Sequence, residues 1–282
     1  MRTLRDIPAL REALGEYRRR GQRIGLVPTM GNLHAGHLSL VESARRHADV
    51  VVATIFVNPL QFGAGEDLDA YPRTLADDQA KLEAAGCDLL FAPSDATLYP
   101  HGLQGLAQVS VPVVSEGLCG GSRPGHFDGV ATVVAILFNL VQPDVACFGE
   151  KDYQQLAVIR KLVTDLHFPI EIVGVPIVRA EDGLALSSRN GYLDARERAT
   201  AAELQRTLIA LREALEAGAP IEATLETGLA RLRVAGFEPD YLELRSNDLA
   251  AVNATTREAV LLVAARLGKT RLIDNLTLTL PH

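Results

Sequence analysis

Residues 49–57, Asp49-Val50-Val51-Val52-Ala53-Thr54-Ile55-Phe56-Val57, constrain this chain more than any other stretch. A β-branched run that is apolar on both of its alternating faces has no polar side to turn to water. It therefore predicts a central strand of a parallel sheet with both faces covered. The run stops at Asn58-Pro59-Leu60-Gln61-Phe62-Gly63, where proline removes a ladder donor and a turn opens. Asn58 and Gln61 either point into that opening or satisfy the loop's own backbone. Upstream, Arg23 to Val41 read as strand, turn and helix: Ile24 to Val27 is a short apolar run, Pro28 and Gly31 break it, and an amphipathic stretch with Leu38, Leu40, Val41 and Ala44 begins after His37. His34 and His37 then share one side of a first helical turn, where unpaired amides and the helix dipole favour an anion. Gly36 between them removes a side chain that would keep a phosphate away. Such a pair can also be structural, but polar clusters at the mouth of a strand-to-helix turn are where α/β proteins bind ligands.

The alternation continues along the chain. Ile7, Leu10, Leu14 and Tyr17 at helical spacing predict an opening helix within residues 5–20. Residues 74–86 read as a helix and 88–93 as the next strand. Asp77 and Asp78 on that helix offer a Mg²⁺ foothold or simply face solvent, because adjacent helical side chains diverge by about 100°. Ser94 to Ser122 reads as loops with one short strand at Gln108 to Val114. Ser122 to Val130 is a polar turn, expected to be exposed, ahead of a core helix at Ala131 to Val141. Arg123 and His126 in it either approach a ligand or cap the helix and pair with Asp128. A strand at Asp144 to Phe148 runs into Gly149-Glu150-Lys151-Asp152-Tyr153-Gln154-Gln155, which places Lys151 at a strand's carboxyl end, as a phosphate contact or a solvated surface lysine. Ile170 to Arg179 is the last strand of this sheet, and Glu181-Asp182-Gly183 marks a boundary that divides the chain into 1–180 and 181–282. Leu184 to Tyr192 carries two serine hydroxyls, a guanidinium and a glycine hinge. Helices at 195–217 and 221–235 and strands at Tyr241 to Arg245, Ala259 to Ala265 and Arg271 to Leu278 complete a small α+β unit.

With 282 residues, 48% hydrophobic and 22% charged, the chain has material for two globular domains. A formal charge of −7 argues against a general nucleic-acid binder, so an anionic substrate has to be held by local cations. Cys87, Cys119 and Cys147 are too widely spaced for a disulfide framework or a CxxC metal site, and they suit a reducing cytosol. Neither a signal peptide nor a membrane span is legible. Gathering the strand ends puts His34, His37, Gln61, Lys151, Gln155, Ser187 and Arg189 around one crevice that has several cations and no evident nucleophile or paired carboxylates. Nucleotidyl transfer requires little more than this.

His34-Ala35-Gly36-His37 resembles the HxGH signature of the nucleotidylyltransferase superfamily. Val27 to His34, Ile55 to Phe62, Ser122 to Gly129, Phe148 to Gln155 and Leu184 to Asn190, in that order, resemble the pantothenate synthetase (pantoate–β-alanine ligase) family along essentially the whole chain. The resemblance implies a Rossmann-like, doubly wound parallel α/β sheet in 1–180 that binds nucleotide and pantoate. It implies that the smaller α+β C-terminal domain, 181–282, forms a lid over the site. The ATP site it implies comprises Met30, Gly31, Asn32, Leu33, His34, Ala35, Gly36 and His37, then Gly149, Glu150, Lys151 and Asp152, then Leu186, Ser187, Ser188 and Arg189, with Val178 meeting the adenine through its backbone. His37 matches the residue assigned as proton donor and His34 its partner on the phosphates, with Lys151 and Arg189 completing the catalytic set. Gln61 and Gln155 match the glutamines that hold pantoate, Gln61 also meeting β-alanine. The implied reaction joins (R)-pantoate to β-alanine through pantoyl adenylate, releasing pyrophosphate and AMP, with Mg²⁺ carried on the phosphates of ATP rather than in a protein metal site. A cytoplasmic homodimer, with no nucleic-acid or membrane partner, is the implied setting. Two rivals stand beside it: an enzyme that adenylylates a phosphate, against which the neutral Gln61 and Gln155 speak, and a nucleotide-binding module without turnover. Few partners are evident for Ser187, Ser188 and Arg189, so loop 184–192 is expected to order only around a triphosphate or an acyl adenylate.

Overall fold

A computed structural model describes residues 1–63 and 65–281. Its first part contains β1 (Arg2–Leu4), α1 (Ile7–Arg19), β2 (Ile24–Thr29), α2 (Ala35–His47), β3 (Val50–Ile55), α3 (Leu75–Ala84), β4 (Leu89–Phe91), α4 (Asp95–Leu98) and α5 (Leu118–Ser122). There follow α6 (His126–Val141), β5 (Val145–Gly149), α7 (Tyr153–Asp165) and β6 (Glu171–Val175). The rest is α8 (Ala195–Ala201), α9 (Glu203–Glu216), α10 (Ile221–Val234), β7 (Glu238–Ser246), β8 (Glu258–Leu267) and β9 (Thr270–Thr279).

The first six strands form one parallel sheet in the order β1-β4-β3-β2-β5-β6. From β2 the chain winds outward through β3 and β4 on one side and through β5 and β6 on the other. The loops after β2 and β5 therefore diverge and leave a crevice at the carboxyl ends of these strands. The uniform apolarity of the central strands has its cause in the layers around them. Leu26 and Val52 face a core built with Leu10 and Leu14 of α1, Phe138 of α6 and Ile159 of α7. Their neighbours Val27, Val51 and Ala53 face the opposite way, onto Val41 and Ala44 of α2 and Leu82 of α3. Both faces are dry, as a doubly wound sheet requires.

The remaining strands form a separate antiparallel sheet, β7-β8-β9. One face buries Leu261, Val263 and Leu272 with Leu208 and Leu211 of α9 and Leu232 of α10. On the other, Val260 and Leu262 meet Leu118 of α5 and Tyr153 of α7, which joins the two sheets.

Several local features depart from the sequence reading. β1 pairs with β4 at the sheet edge, where three residues carry too little periodicity to be read. Gln108 to Val114 is not a strand: Pro112 lacks a donor, the Val109 amide is taken by the Thr132 hydroxyl at 2.9 Å, and Val113 has φ +74. The helix expected over 195–217 is two helices meeting at Ala202. α6 begins at His126 rather than at 131, with His126 and Phe127 buried. Gly129 in α6 permits the carbonyl of Leu60 to approach where a Cβ would stand, which seats the Pro59–Gln61 turn on the helix. No helix among the described residues is long and apolar enough to cross a membrane.

Candidate active site

The turn after β2 is held from behind. Asp78 of α3 is fully buried, and its carboxylate accepts the amides of Asn32 at 2.8 Å and Leu33 at 2.7 Å and the hydroxyl of Thr74 at 3.1 Å. Lys81 of the same helix donates to the Leu33 carbonyl at 2.7 Å. So Asp78 is neither a cation foothold nor a solvated carboxylate, because its oxygens are spent on the loop, while Asp77 is exposed. Gly31 sits at φ +85, which L side chains rarely adopt, and a Cβ there would press on Asp78 at 3.1 Å.

His34 is the N-cap of α2 and His37 its third residue, so the helix begins before His37, not after it. The amide of Gly36 donates to His34 Nδ1 at 3.1 Å, and the amide of His34 donates to His37 Nδ1 at 3.3 Å. The rings lie 4.1 Å apart between centroids. Burial, helped by the positive charge of Lys151, brings the His34 pKa down to about 4. Burial and the adjacent His34 bring His37 down to about 3. Both rings are thus neutral near pH 7, and since each Nδ1 accepts, each Nε2 carries the proton as a donor. They are not cations, contrary to a simple count of basic residues. Gly36 also meets a steric demand of the fold: a Cβ there would fall 2.9 Å from the His34 ring, so glycine lets that ring fold back onto the helix start.

The second turn follows β5. Lys151, largely buried, lies 3.9 Å from Asp152, and nothing occupies the space beside Gly149 where a side chain would lie. The carbonyls of Lys151 and Glu150 both accept from Asn275 Nδ2 of β9, at 2.9 and 2.8 Å. Asp274 beside it makes a bidentate pair with Arg179 at 2.7 and 2.9 Å. The antiparallel sheet thereby fixes the lysine turn.

Asn58 is buried. It receives the Tyr99 hydroxyl at 2.7 Å and the Leu60 amide at 3.2 Å, and it donates to Gln61 Oε1 at 3.1 Å and to the Gly129 carbonyl at 3.1 Å. This anchors the Gln61 amide with its oxygen inward and its Nε2 beside Met30 Sδ, at 3.1 Å. Arg123 and His126 do not pair with Asp128. Arg123 grips Glu66 through Nε at 2.7 Å and Nη2 at 2.6 Å, and its Nη1 lies 2.9 Å from His126 Nε2. His126 Nδ1 in turn lies 2.7 Å from the Gln61 carbonyl. Burial and Arg123 lower the His126 pKa to about 4. Gln154, next to Gln155, is a strut: its amide nitrogen reaches the carbonyls of Val114, Glu116 and Gly117, and its oxygen accepts from Cys119.

Loop 184–192 has partners without any ligand. Ser188 Oγ donates to the Asn32 carbonyl at 3.2 Å, Asn32 Nδ2 donates to the Ser188 carbonyl at 3.2 Å, and Ser187 Oγ accepts the Arg189 amide at 3.2 Å. Arg189 pairs with Asp67 through Nε at 3.0 Å and Nη2 at 2.8 Å. The few partners assumed from the sequence were an artefact of distance along the chain, since Asp67 lies 122 residues away.

These elements enclose a cavity lobe of about 230 Å³ lined by Met30, His34, Gly36, His37, Gln61, Gly149, Lys151, Asp152, Gln155, Val178 and Leu186 to Arg189. Gly31, Asn32, Leu33, Ala35 and Glu150 are not among its lining residues; Leu33, for example, is buried in the core behind it. Sequence reasoning singled out Asp78 for the wrong role and missed Asn275, Glu66, Asp67 and the lobe-lining Tyr71, which carry no local motif. Among the described residues no cluster of three or more His, Cys, Asp or Glu is arranged to hold a metal ion.

A doubly wound sheet whose switch-point crevice joins imidazole N–H donors, a lysine and amide side chains defines an α/β enzyme of nucleotidyl transfer. The pantoate-beta-alanine ligase family matches residues 2–277, and the chain belongs to that family. It is 66% identical over 283 residues to the pantothenate synthetase of Chromohalobacter salexigens, covering 100% of both chains. The crystal structure of pantothenate synthetase from Thermus thermophilus superposes with a TM-score of 0.91 at 51% identity, over 98% of this chain and 99% of that one. A pantoate-beta-alanine ligase from Francisella tularensis, solved with beta-gamma ATP and beta-alanine, superposes with a TM-score of 0.83 at 33% identity, over 98% and 97% of the two chains.

Proposed function

We propose that the protein ligates pantoate and β-alanine at the expense of ATP, in two steps at the lobe between the β2 and β5 turns. A carboxylate oxygen of pantoate attacks the α-phosphorus, and the bond from that phosphorus to the bridging oxygen breaks. Its electron pair leaves with pyrophosphate. The amine of β-alanine then adds to the acyl carbon of pantoyl adenylate, AMP departs with the bridging oxygen, and the amine's proton goes to solvent. The observation that carries the reading is the locked pair of imidazoles beside Lys151. Two Nε2–H donors and one ammonium can follow negative charge as it builds on the phosphate oxygens, without a protein nucleophile.

In this reading His34 and His37 serve as neutral hydrogen-bond donors, Lys151 supplies the fixed charge, and Arg189 joins once phosphate oxygens replace Asp67. Gln61 and Gln155 hold pantoate, and Gln61 also meets β-alanine. Its inward-facing oxygen leaves the N–H to face the acid. The Val178 carbonyl already accepts from the Leu186 amide at 3.0 Å, so the backbone N–H of Val178 is the group left for adenine. Mg²⁺ travels on the phosphates, because the oxygens of Asp78 are engaged. Residues 1–180 form the substrate-binding domain and 181–282 a lid that shields the mixed anhydride from water. A cytoplasmic homodimer completes the proposal, and light scattering on the purified protein reports its mass.

Pantoate labelled with ¹⁸O in its carboxylate, incubated with ATP, Mg²⁺ and β-alanine, should deliver one ¹⁸O to AMP. Unlabelled AMP eliminates the adenylate route. Without β-alanine, labelled pyrophosphate should still exchange into ATP when pantoate is present.

A further inference from the structure

The site described above opens into a second lobe, of about 300 Å³, between the parallel sheet and the β7-β8-β9 sheet; both lobes are lined by Lys151, Gln155, Ser187 and Arg189. Its outer wall is the β8–β9 hairpin. There Arg266 and Arg271 stand directly opposite one another across two antiparallel strands, with Lys269 at the tip beside Gly268, whose φ is +56. Like charges directly opposed weaken a strand pair. A chain with a net charge of −7 has no compositional reason to gather three cations at one hairpin end.

Arg271 is compensated, since its Nε donates to Asp240 at 2.7 Å and its Nη2 to Ser122 Oγ at 3.1 Å. Arg266 and Lys269 have no ion pair among the described residues, although Glu238 is the strand neighbour of Arg266 on its other flank. Glu197, whose carboxylate lies against Gly268, accepts the Asp194 amide instead. Three acids facing the lobe are already matched: Glu66 with Arg123, Asp67 with Arg189, and Asp274 with Arg179. Asp152 stands only 3.9 Å from Lys151 at the junction. Among the residues that line the lobe, the inner wall is therefore close to neutral and the outer wall carries the two unpaired cations, Arg266 and Lys269, with the charged Glu197 and Glu238 lying outside that lining.

We propose that this lobe receives the leaving pyrophosphate. The inference rests on the adenylate reading above, which makes one small polyanion at the junction of the lobes, beside Lys151. That polyanion must depart before an amine can reach the acyl carbon from a site closed to water. Arg266 and Lys269 are the cations lining the lobe, besides Lys151, that no carboxylate pairs, and both are exposed, so they bind an anion loosely enough to pass it on to solvent.

The test uses the full chain carrying Arg266→Gln and Lys269→Gln, with pyrophosphate and ATP titrated separately by calorimetry, which needs no turnover. The dissociation constant for pyrophosphate should weaken about tenfold, as two partly solvated charge contacts would supply, and that for ATP by less than about twofold. Product inhibition by pyrophosphate should weaken in parallel, while single-turnover adenylate formation is unchanged. Lys269→Arg, which keeps the charge, should retain pyrophosphate binding. Equal weakening for both ligands, or unchanged pyrophosphate binding, overturns the proposal. Failure of the adenylate reading shows separately, as wild-type protein that binds pyrophosphate but does not exchange it into ATP with pantoate present.

Discussion

His34 and His37 are uncharged near neutral pH because they are buried, beside one another and near Lys151, and each Nδ1 accepts an amide at the start of α2. Removing the His37 ring deletes a donor to the growing phosphate charge and one capping bond. His37→Ala should lower the rate of adenylate formation by roughly 10²–10⁴, the range for a positioned proton-bearing group, at a stability cost of about 1 kcal/mol. Single-turnover quench and chemical denaturation measure the two separately, and a near-normal rate would remove His37 from the mechanism. The depressed pKa values also set a sign for stability. An unfolded imidazole titrates at 6.5, whereas His34 and His126 titrate at about 4 and His37 at about 3 in the folded chain. Between these limits the unfolded state binds more protons, so stability falls as pH drops from 6.5 toward 3, and these rings contribute no pH dependence above that window. Thermal melts from pH 8 to pH 4.5 should be flat and then decline, with proton uptake on unfolding near pH 5. A melting temperature that stays level to pH 4.5 would mean the rings are charged in the fold.

Elements carry the next layer. Strand β9 places Asn275 where one amide group bonds two consecutive carbonyls, those of Glu150 and Lys151. Asn275→Ala leaves both without this donor, and the loss of two partly buried bonds should cost about 1–3 kcal/mol. Loosening the lysine turn should lower kcat for adenylation by more than it weakens ATP binding, since a misplaced charge matters most at the transition state. A change confined to the KM for ATP would show Asn275 to be a strut without influence on the chemistry. The strap carrying Asp67 makes a second case. Because Asp67 holds Arg189 in the free protein, the amides of loop 184–192 should already resist hydrogen exchange without ATP. Asp67→Ala should make that protection depend on ATP. Identical exchange in the variant and the parent, with or without nucleotide, would show that the pair does not order the loop.

At the scale of the molecule, the two sheets are tied by Arg179 and Asp274, whose carboxylate side chain is 2% exposed. Removing Asp274 leaves the Arg179 guanidinium, largely buried at 18% exposed, without its carboxylate partner. Asp274→Ala should therefore destabilise by about 3–5 kcal/mol, and the two sheets should then melt separately rather than together. Calorimetry decides this, a single unperturbed transition being the contrary result. The same bridge sits one residue from Asn275, so the antiparallel sheet is coupled to the Lys151 turn through adjacent side chains of one strand.

Much of this architecture was legible in the residues themselves. Val50 to Ile55 could only be a strand covered on both faces, and the breaks at Pro28, Gly31 and Pro59 marked where the chain turns toward a ligand, because periodicity and proline act over a few residues. The five segments that resemble the ligase family pointed to the same crevice. The tertiary structure alone decided what the side chains are. Asp78 became a buried clamp, the histidines became neutral donors, Arg189 found Asp67, and Asn275 took hold of the lysine turn. Each of these depends on groups between 45 and 125 residues apart, or on the loss of water around a ring, and no local pattern encodes either.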